Sequence, residues 1–172
     1  MSAEGVVSMR LATPTDRAVL ESWDELPHVI ASGGLDDGLD WTVELARDAD
    51  WQEIWVAEVD GEPVGVVQVI DPHREETRYW GDIEPGWRAI DIWIGPAEML
   101  GRGYGTQMME QALDRCFADP TVHAVLIDPL VGNEGAIRFY RRIGFVEIED
   151  RWFGDDECLI LRMDRADWAA RR

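Results

Sequence analysis

The stretch Ala89-Ile90-Asp91-Ile92-Trp93-Ile94-Gly95, followed closely by Leu100-Gly101-Arg102-Gly103-Tyr104-Gly105-Thr106, decides the fold. Its first seven residues read as a strand with one charge set into an apolar frame, because β-branched and aromatic side chains suit a pleated, half-buried surface. Beyond the glycines, Met108, Met109, Ala112, Leu113, Cys116 and Phe117 recur at helical spacing, which predicts an amphipathic helix over Tyr104 to Phe117. Glycines between a strand and a helix let the backbone come close to an anion, and exposed amides at a helix start bind phosphate oxygens. The same run also serves as a plain tight turn. The Gly-Lys-Ser/Thr ending of a P-loop is absent, and no βαβ plan surrounds the glycines. NAD binding and ATP hydrolysis are therefore not expected.

Working outward, Val6 to Leu11 reads as a first strand, and Thr13-Pro14-Thr15-Asp16 caps a helix carrying Val19, Leu20 and Trp23 that Pro27 should end. Ser32 to Asp40 reads as an acidic, glycine-rich loop before a short helix near Trp41 to Arg47. Asp60-Gly61 between Glu53–Val59 and Pro63–Ile70 signals an antiparallel hairpin. Downstream, Ala124 to Ile127 is a short buried strand and Asn133 to Ile143 a helix stopped by Gly144. Phe145 to Asp150 and Cys158 to Met163 are closing strands around Gly154-Asp155. The element order is mixed α/β.

A chain of 172 residues, 46% of them hydrophobic, suffices for one domain with a sizeable core, expected to span residues 1–172. The formal charge of −19 repels phosphodiester backbones and anionic headgroups, so neither nucleic acid nor membrane is expected as partner; a cation is favoured, or the acidity simply aids solubility. All sixteen basic residues are arginine, which leaves no lysine for a Schiff base. Cys116 and Cys158 stand far apart inside apolar segments, giving no basis for a disulfide framework or a metal site, and a reducing cytoplasm is expected. The N-terminus lacks a long apolar segment, and no window reaches the roughly 18 apolar residues of a membrane span.

The second informative element runs from Asp128-Pro129 through Asn133-Glu134-Gly135-Ala136 and Phe139-Tyr140 to Gly144-Phe145. Asn133 and Tyr140, seven residues apart on a helix, project from about one face. With the glycine turn, this pattern resembles the acyl-CoA site of the GNAT acetyltransferase superfamily. Pro27-His28-Val29, Gly61-Glu62-Pro63-Val64-Gly65, Pro85-Gly86-Trp87-Arg88-Ala89-Ile90-Asp91 and Phe117-Ala118-Asp119-Pro120 resemble, more closely, the aminoglycoside 6′-N-acetyltransferases. The resemblance implies a splayed mixed sheet, largely antiparallel and flanked by helices. Acetyl-CoA would lie between strands diverging near Ile94 and Ile127, with Trp93 and Ile94 beside it. Its pyrophosphate would sit on the turn from Leu100 and Gly101 through Arg102, Gly103, Tyr104 and Gly105 to Thr106, its pantetheine on Asn133 and Ala136. One departure stands out: Leu100 occupies a position where superfamily members often carry Gln or Arg.

Amine acetylation needs a neutral nitrogen, so the site must accept a proton. Asp91 matches the family's proposed base; the other reading is an outward residue on an alternating strand, with Asp91 and Trp93 on one face and Ile90, Ile92 and Ile94 on the other. Asp128 is either a second carboxylate gripping the substrate ammonium or a loop cap. Tyr140 resembles the proton donor to a departing thiolate; otherwise it is a core aromatic. Glu75, Glu76, Asp82 and Glu84 crowd a segment with Tyr79 and Trp80, offering charge beside flat apolar surface, or merely a solvated face. Trp23 and His28 are candidates for the opposite wall. The expected activity is acetyl transfer to a small polycation, most specifically the 6′-amine of an aminoglycoside, by a monomer or homodimer. The alternatives are acetylation of a protein N-terminus or siderophore-type amine, a non-catalytic acyl-CoA-binding module, and an interaction domain.

Overall fold

The computed structural model describes residues 5–33 and 39–172. Strand β1 (Val7–Leu11) leads through a turn of 3-10 helix to α1 (Arg17–Asp24), α2 (Pro27–Gly33) and α3 (Trp41–Ala46). The hairpin β2 (Gln52–Val59) and β3 (Glu62–Ile70) follows, then β4 (Trp87–Ile94), α4 (Tyr104–Ala118), β5 (Ala124–Ile127), α5 (Glu134–Ile143), β6 (Val146–Phe153), β7 (Asp156–Asp164) and α6 (Arg165–Ala169). The hairpin turn is as the sequence predicts, with Asp60 and Gly61 both at positive φ, 53° and 82°.

The strands form one sheet in the order β1-β2-β3-β4-β5-β7-β6. Every pairing is antiparallel except β4 with β5, which run parallel. That parallel contact is short: Trp87 faces Ala124, Arg88 faces Val125 and Ala89 faces Leu126, and the strands then part. The divergence begins at Ile90 on β4, four residues before the Ile94 expected from the resemblance. Strand β5 is four buried residues long and runs into Asp128-Pro129, where proline has no N–H to continue a ladder.

The two faces of β4 settle the alternation read from its sequence. Ile90, Ile92 and Ile94 pack into the main core with Met108, Met109 and Leu113 of α4. Ala89 turns the other way, into a cluster with Trp80, Leu126 and Ile160, and Trp93 packs beside Leu20, Trp41 and Val66. Asp91 shares that second face and opens onto water.

Two boundaries differ from the sequence expectation. The first helix stops at Asp24, and Pro27 opens α2 rather than ending α1; a proline at a first helical position loses no intrahelical bond. Ser32 and Gly33 belong to α2, not to the acidic loop, while residues 34–38 lie outside those described. Helix α6 packs on its own domain: Trp168 is buried and its Nε1 donates to Asp114 Oδ1 at 2.9 Å. Among the described residues no helix is long and apolar enough to cross a membrane.

Trp23 is held in the second core cluster, with its indole against the backbone of Gly95 just past β4; a Cβ there would sit 2.1 Å from the ring. Gly95→Ala should therefore overpack the junction and lower stability by about 1–3 kcal/mol, read as a lower urea midpoint at unchanged slope. An unchanged midpoint would mean that the ring can withdraw freely.

Candidate active site

Where β4 and β5 part they leave a cleft of about 660 Å³. Ala89, Asp91 and Trp93 of β4 line one side, Asp128 and Pro129 the other, and Asn133, the cap of α5, and Tyr140 of α5 complete the lining. Among the described residues, five carboxylates line it, Asp24, Glu75, Asp91, Asp128 and Asp156, and no arginine does. The cleft thus has the charge sign of a cation site. Among the described residues no three metal-ligating groups are placed to share an ion.

Asp91 sits opposite Gln68 in the β3–β4 register. Water reaches it, but the cleft walls crowd its carboxyl and the lost hydration raises its pKa above the ordinary carboxylate range. Asp128 is raised as well, first by burial and then by the negative charge of Asp91; its hydrogen bond from Tyr79 works in the opposite direction. Two crowded carboxylates that feel one another take up protons as a pair, so one proton is retained into a pH range where an isolated aspartate would be ionised.

The Tyr79 hydroxyl donates to Asp128 Oδ2 at 2.7 Å. The ring is fixed by stacking on Phe153, centroids 4.3 Å apart and planes 5° from parallel, and by the edge of Trp80. Its turn is organised by Glu75, which accepts from Thr77 N and Oγ1 and from Tyr79 N at 2.7, 2.9 and 3.1 Å. Burial opposes the charge on Glu75, yet these donors hold its pKa below the ordinary value. Tyr140 is buried between Phe139 and Phe145 and faces the cleft, and its phenol is pushed upward by burial and by the Asp91 and Asp128 charges. It remains protonated at neutral pH.

Past the C-terminal end of β4 the glycine turn forms as expected. Gly101 and Gly103 adopt positive φ, 71° and 82°, and Gly103 precedes the first turn of α4 with no side-chain cap. The amides of Tyr104, Gly105 and Thr106 precede the first intrahelical bond, Gln107 N to Gly103 O, so this fifteen-residue helix points uncapped donors at whatever occupies the bend. Arg102 donates from Nε to Glu98 O at 2.7 Å, and Leu100 is exposed. Asn133 caps α5, its Oδ1 accepting from Ala136 N at 3.2 Å. That leaves its amide N–H₂ as the group available to the cleft.

Several residues expected to touch substrate do not line the cleft. Trp23 is core, as above. His28 Nε2 donates to Ile94 O at 3.0 Å, which fixes the end of β4 instead. Glu76 and Glu84 are exposed away from the cleft, and Asp82 pairs with Arg78 on the outer surface. Conversely, Gln68 and Asp24 line it without having been singled out in the sequence, and Glu75, read there as part of the acidic segment, lines it as well. Gln68 carried a signal: it is the one polar residue in Val64-Gly65-Val66-Val67-Gln68-Val69-Ile70, and it is buried. Asp24, whose carboxylate accepts from Trp41 Nε1 at 2.6 Å, looked like an ordinary helix-end charge.

The model of the acetyltransferase (GNAT) domain matches residues 12–152. The chain belongs to the GNAT acetyltransferase family. Within that family, it is 31% identical over 155 residues to the aminoglycoside N(6′)-acetyltransferase type 1 of Klebsiella pneumoniae, covering 81% of this chain and 73% of the relative. The solved structure of AAC(6′)-Ib in complex with paromomycin and acetyl-CoA superposes with a TM-score of 0.86 at 27% identity, covering 97% of this chain and 98% of the other. The same enzyme with coenzyme A and kanamycin gives 0.84 at 26%, covering 95% and 98%. The GNAT fold, with a split mixed sheet flanked by helices, and the N-acetyltransferase class of this chain follow.

Tyr79→Phe keeps the ring stack and deletes the donor to Asp128, so the Asp128 pKa should rise. Carboxyl-carbon NMR titration of both proteins checks this, and an unmoved or lowered value would mean that the phenol does not hold the carboxylate ionised.

Proposed function

We propose that this GNAT acetyltransferase transfers an acetyl group from acetyl-CoA to the 6′-amine of an aminoglycoside. The observation that carries the reading is the cleft itself: among the described residues its lining holds five carboxylates and no arginine, at the split of β4 and β5 beside an uncapped glycine turn. An aminoglycoside offers several ammonium groups and a polar sugar surface, which suits that wall of charge. The whole chain would act as one domain, in a reducing cytoplasm consistent with Cys116 and Cys158 both buried and free.

The bend fits the coenzyme. The first-turn amides of α4 supply donors for a diphosphate without help from the residue at Leu100, and no atom lies within 4 Å of where a Cβ would stand on Gly101. The Asn133 N–H₂ and the Ala136 surface would hold the pantetheine. When bound, acetyl-CoA supplies an activated carbonyl and a thiolate leaving group.

Asp128, steadied by Tyr79, holds the substrate ammonium, and an Asp91 carboxylate oxygen takes the proton that leaves the nitrogen. Its raised pKa is matched to this work, since an ordinary aspartate is too weak a base for an amine. Tyr140 Oη keeps its proton at neutral pH and offers it to negative charge developing on the leaving sulfur.

Free thiol should be released when the protein is incubated with acetyl-CoA and kanamycin; no release with any of several aminoglycosides rejects the substrate class. Asp91→Asn should lower kcat by about 10² to 10⁴, the usual contribution of a general base, with coenzyme A affinity unchanged. Equal loss of both would make Asp91 structural. Activity requires ionised Asp91, so it falls as pH drops through the raised pKa of the pair. Asp128→Asn removes the neighbouring negative charge, and the acidic limb of kcat/KM should move to lower pH even as its height falls; a limb that stays in place would mean the two carboxylates titrate independently.

A further inference from the structure

The five carboxylates of the cleft do not share one wall. Glu75, Asp91, Asp128 and Asp156 come from the sheet and from the loops at its strand ends. Asp24 is the last residue of α1 and stands with Val29, Ile30, Ser32 and Leu39 on the helical side. Among the described residues it is the only charged group on that wall.

Its position is electrostatically poor. A helix C-terminus carries partial negative charge, so the carbonyls around Asp24 oppose its carboxylate. Among the described residues its one hydrogen bond comes from Trp41 Nε1 to Oδ2 at 2.6 Å, no arginine pairs with it, and Oδ1 has no partner. Burial pushes its pKa above the ordinary carboxylate range; the Trp41 bond pulls it back, and the Glu21 charge adds to the rise. The carboxylate is nevertheless held firmly. Trp41 is fully buried and lies against Trp93, ring centroids 6.0 Å apart, and Trp93 lines the cleft two residues after Asp91 on the same face of β4. Asp91, Trp93, Trp41 and Asp24 thus form a connected series, with a carboxylate at each end and apolar rings between.

We propose that Asp24 Oδ1 binds a second ammonium group of the substrate while the reacting nitrogen of the same molecule lies beside Asp91. The inference rests on the aminoglycoside reading above and deepens it. This wall selects amines that carry a further cation, set apart from the acetylated nitrogen by an uncharged span, as amino groups on neighbouring rings of an aminoglycoside are. A carboxylate partly stripped of water and lacking any cationic partner in the chain gains more from an ammonium donor than a solvated one does, and the Trp41 bond orients the free oxygen for it.

Calorimetric titration of the full chain with kanamycin and with paromomycin tests it, because paromomycin carries a hydroxyl where kanamycin has the 6′-amine. Asp24→Asn keeps an oxygen for Trp41 Nε1 and removes the charge. It should weaken both aminoglycosides by a similar factor, about tenfold, the size of one charge-assisted contact, with coenzyme A bound as before. The difference from the native protein should shrink with added salt, and Asp24→Glu should recover part of the loss. Unchanged affinity in the asparagine variant overturns the inference. A loss confined to kanamycin also does, since Asp24 would then serve the reacting amine, and an equal loss of coenzyme A binding would make Asp24 structural. A native protein that binds both aminoglycosides but releases no thiol with kanamycin overturns the acetyl-transfer reading and leaves this anchor standing; one that binds neither overturns both.

Discussion

The parallel contact between β4 and β5 is the constraint on which the remaining geometry depends. It lasts three residue pairs, and each strand is tied on its outer side, β4 to β3 and β5 to β7, by longer antiparallel ladders. The two halves of the sheet are therefore rigid while the seam between them opens. Beyond the last pair, β4 continues to Ile94 with one edge unpaired by strand, and β5 ends at Asp128-Pro129. One seam thus produces both the cleft and the separation of its two central carboxylates onto different strands.

Electrostatics then sort these carboxylates into roles. Glu75 is saturated by donors from its own turn and stays ionised, shaping the loop that brings Tyr79 to Asp128. Asp91 and Asp128 lack such a shell, and their charges oppose one another inside walls that exclude much of the water. In the empty cleft that is unfavourable. A bound polycation removes the cost, so the same crowding that raises the two pKa values favours a cationic ligand over water. Tyr140 completes the arrangement from the opposite direction, since the negative field that draws in an ammonium also keeps the phenol protonated.

The amount of this legible in the sequence varied with how local the cause was. The hairpin at Asp60-Gly61, the amphipathic face of α4 and the caps of α5 are set by residues within a few positions of one another, and each was readable. The carboxylate Asp91 was visible as a charge in an apolar strand, although which face it occupied depended on what α4 covered. Tyr79 was read as one aromatic among neighbours, while its bond to Asp128 joins residues 49 positions apart and had no local sign. For the acidic segment, composition misled: Glu76, Asp82 and Glu84 look alike in sequence, and only Glu75 turns inward, because three donors happen to meet it. His28 and Trp23 do not line the cleft, for a related reason. Both are needed to hold the end of β4, by a hydrogen bond to Ile94 and by packing on Gly95.

The distribution of arginine carries the charge argument one step further. In a chain with 35 acidic and 16 basic residues, each arginine has carboxylates to choose from, so an unpaired guanidinium costs the attraction that its neighbours enjoy. Arg102, at the bend, turns its Nε to the carbonyl of Glu98. Acidic side chains line the cleft at the split of β4 and β5, while the uncapped amides at the start of α4 put partial positive charge at the bend. A ligand with a neutral thioester at one end and phosphates at the other would find the two signs of charge it needs at two places along one path.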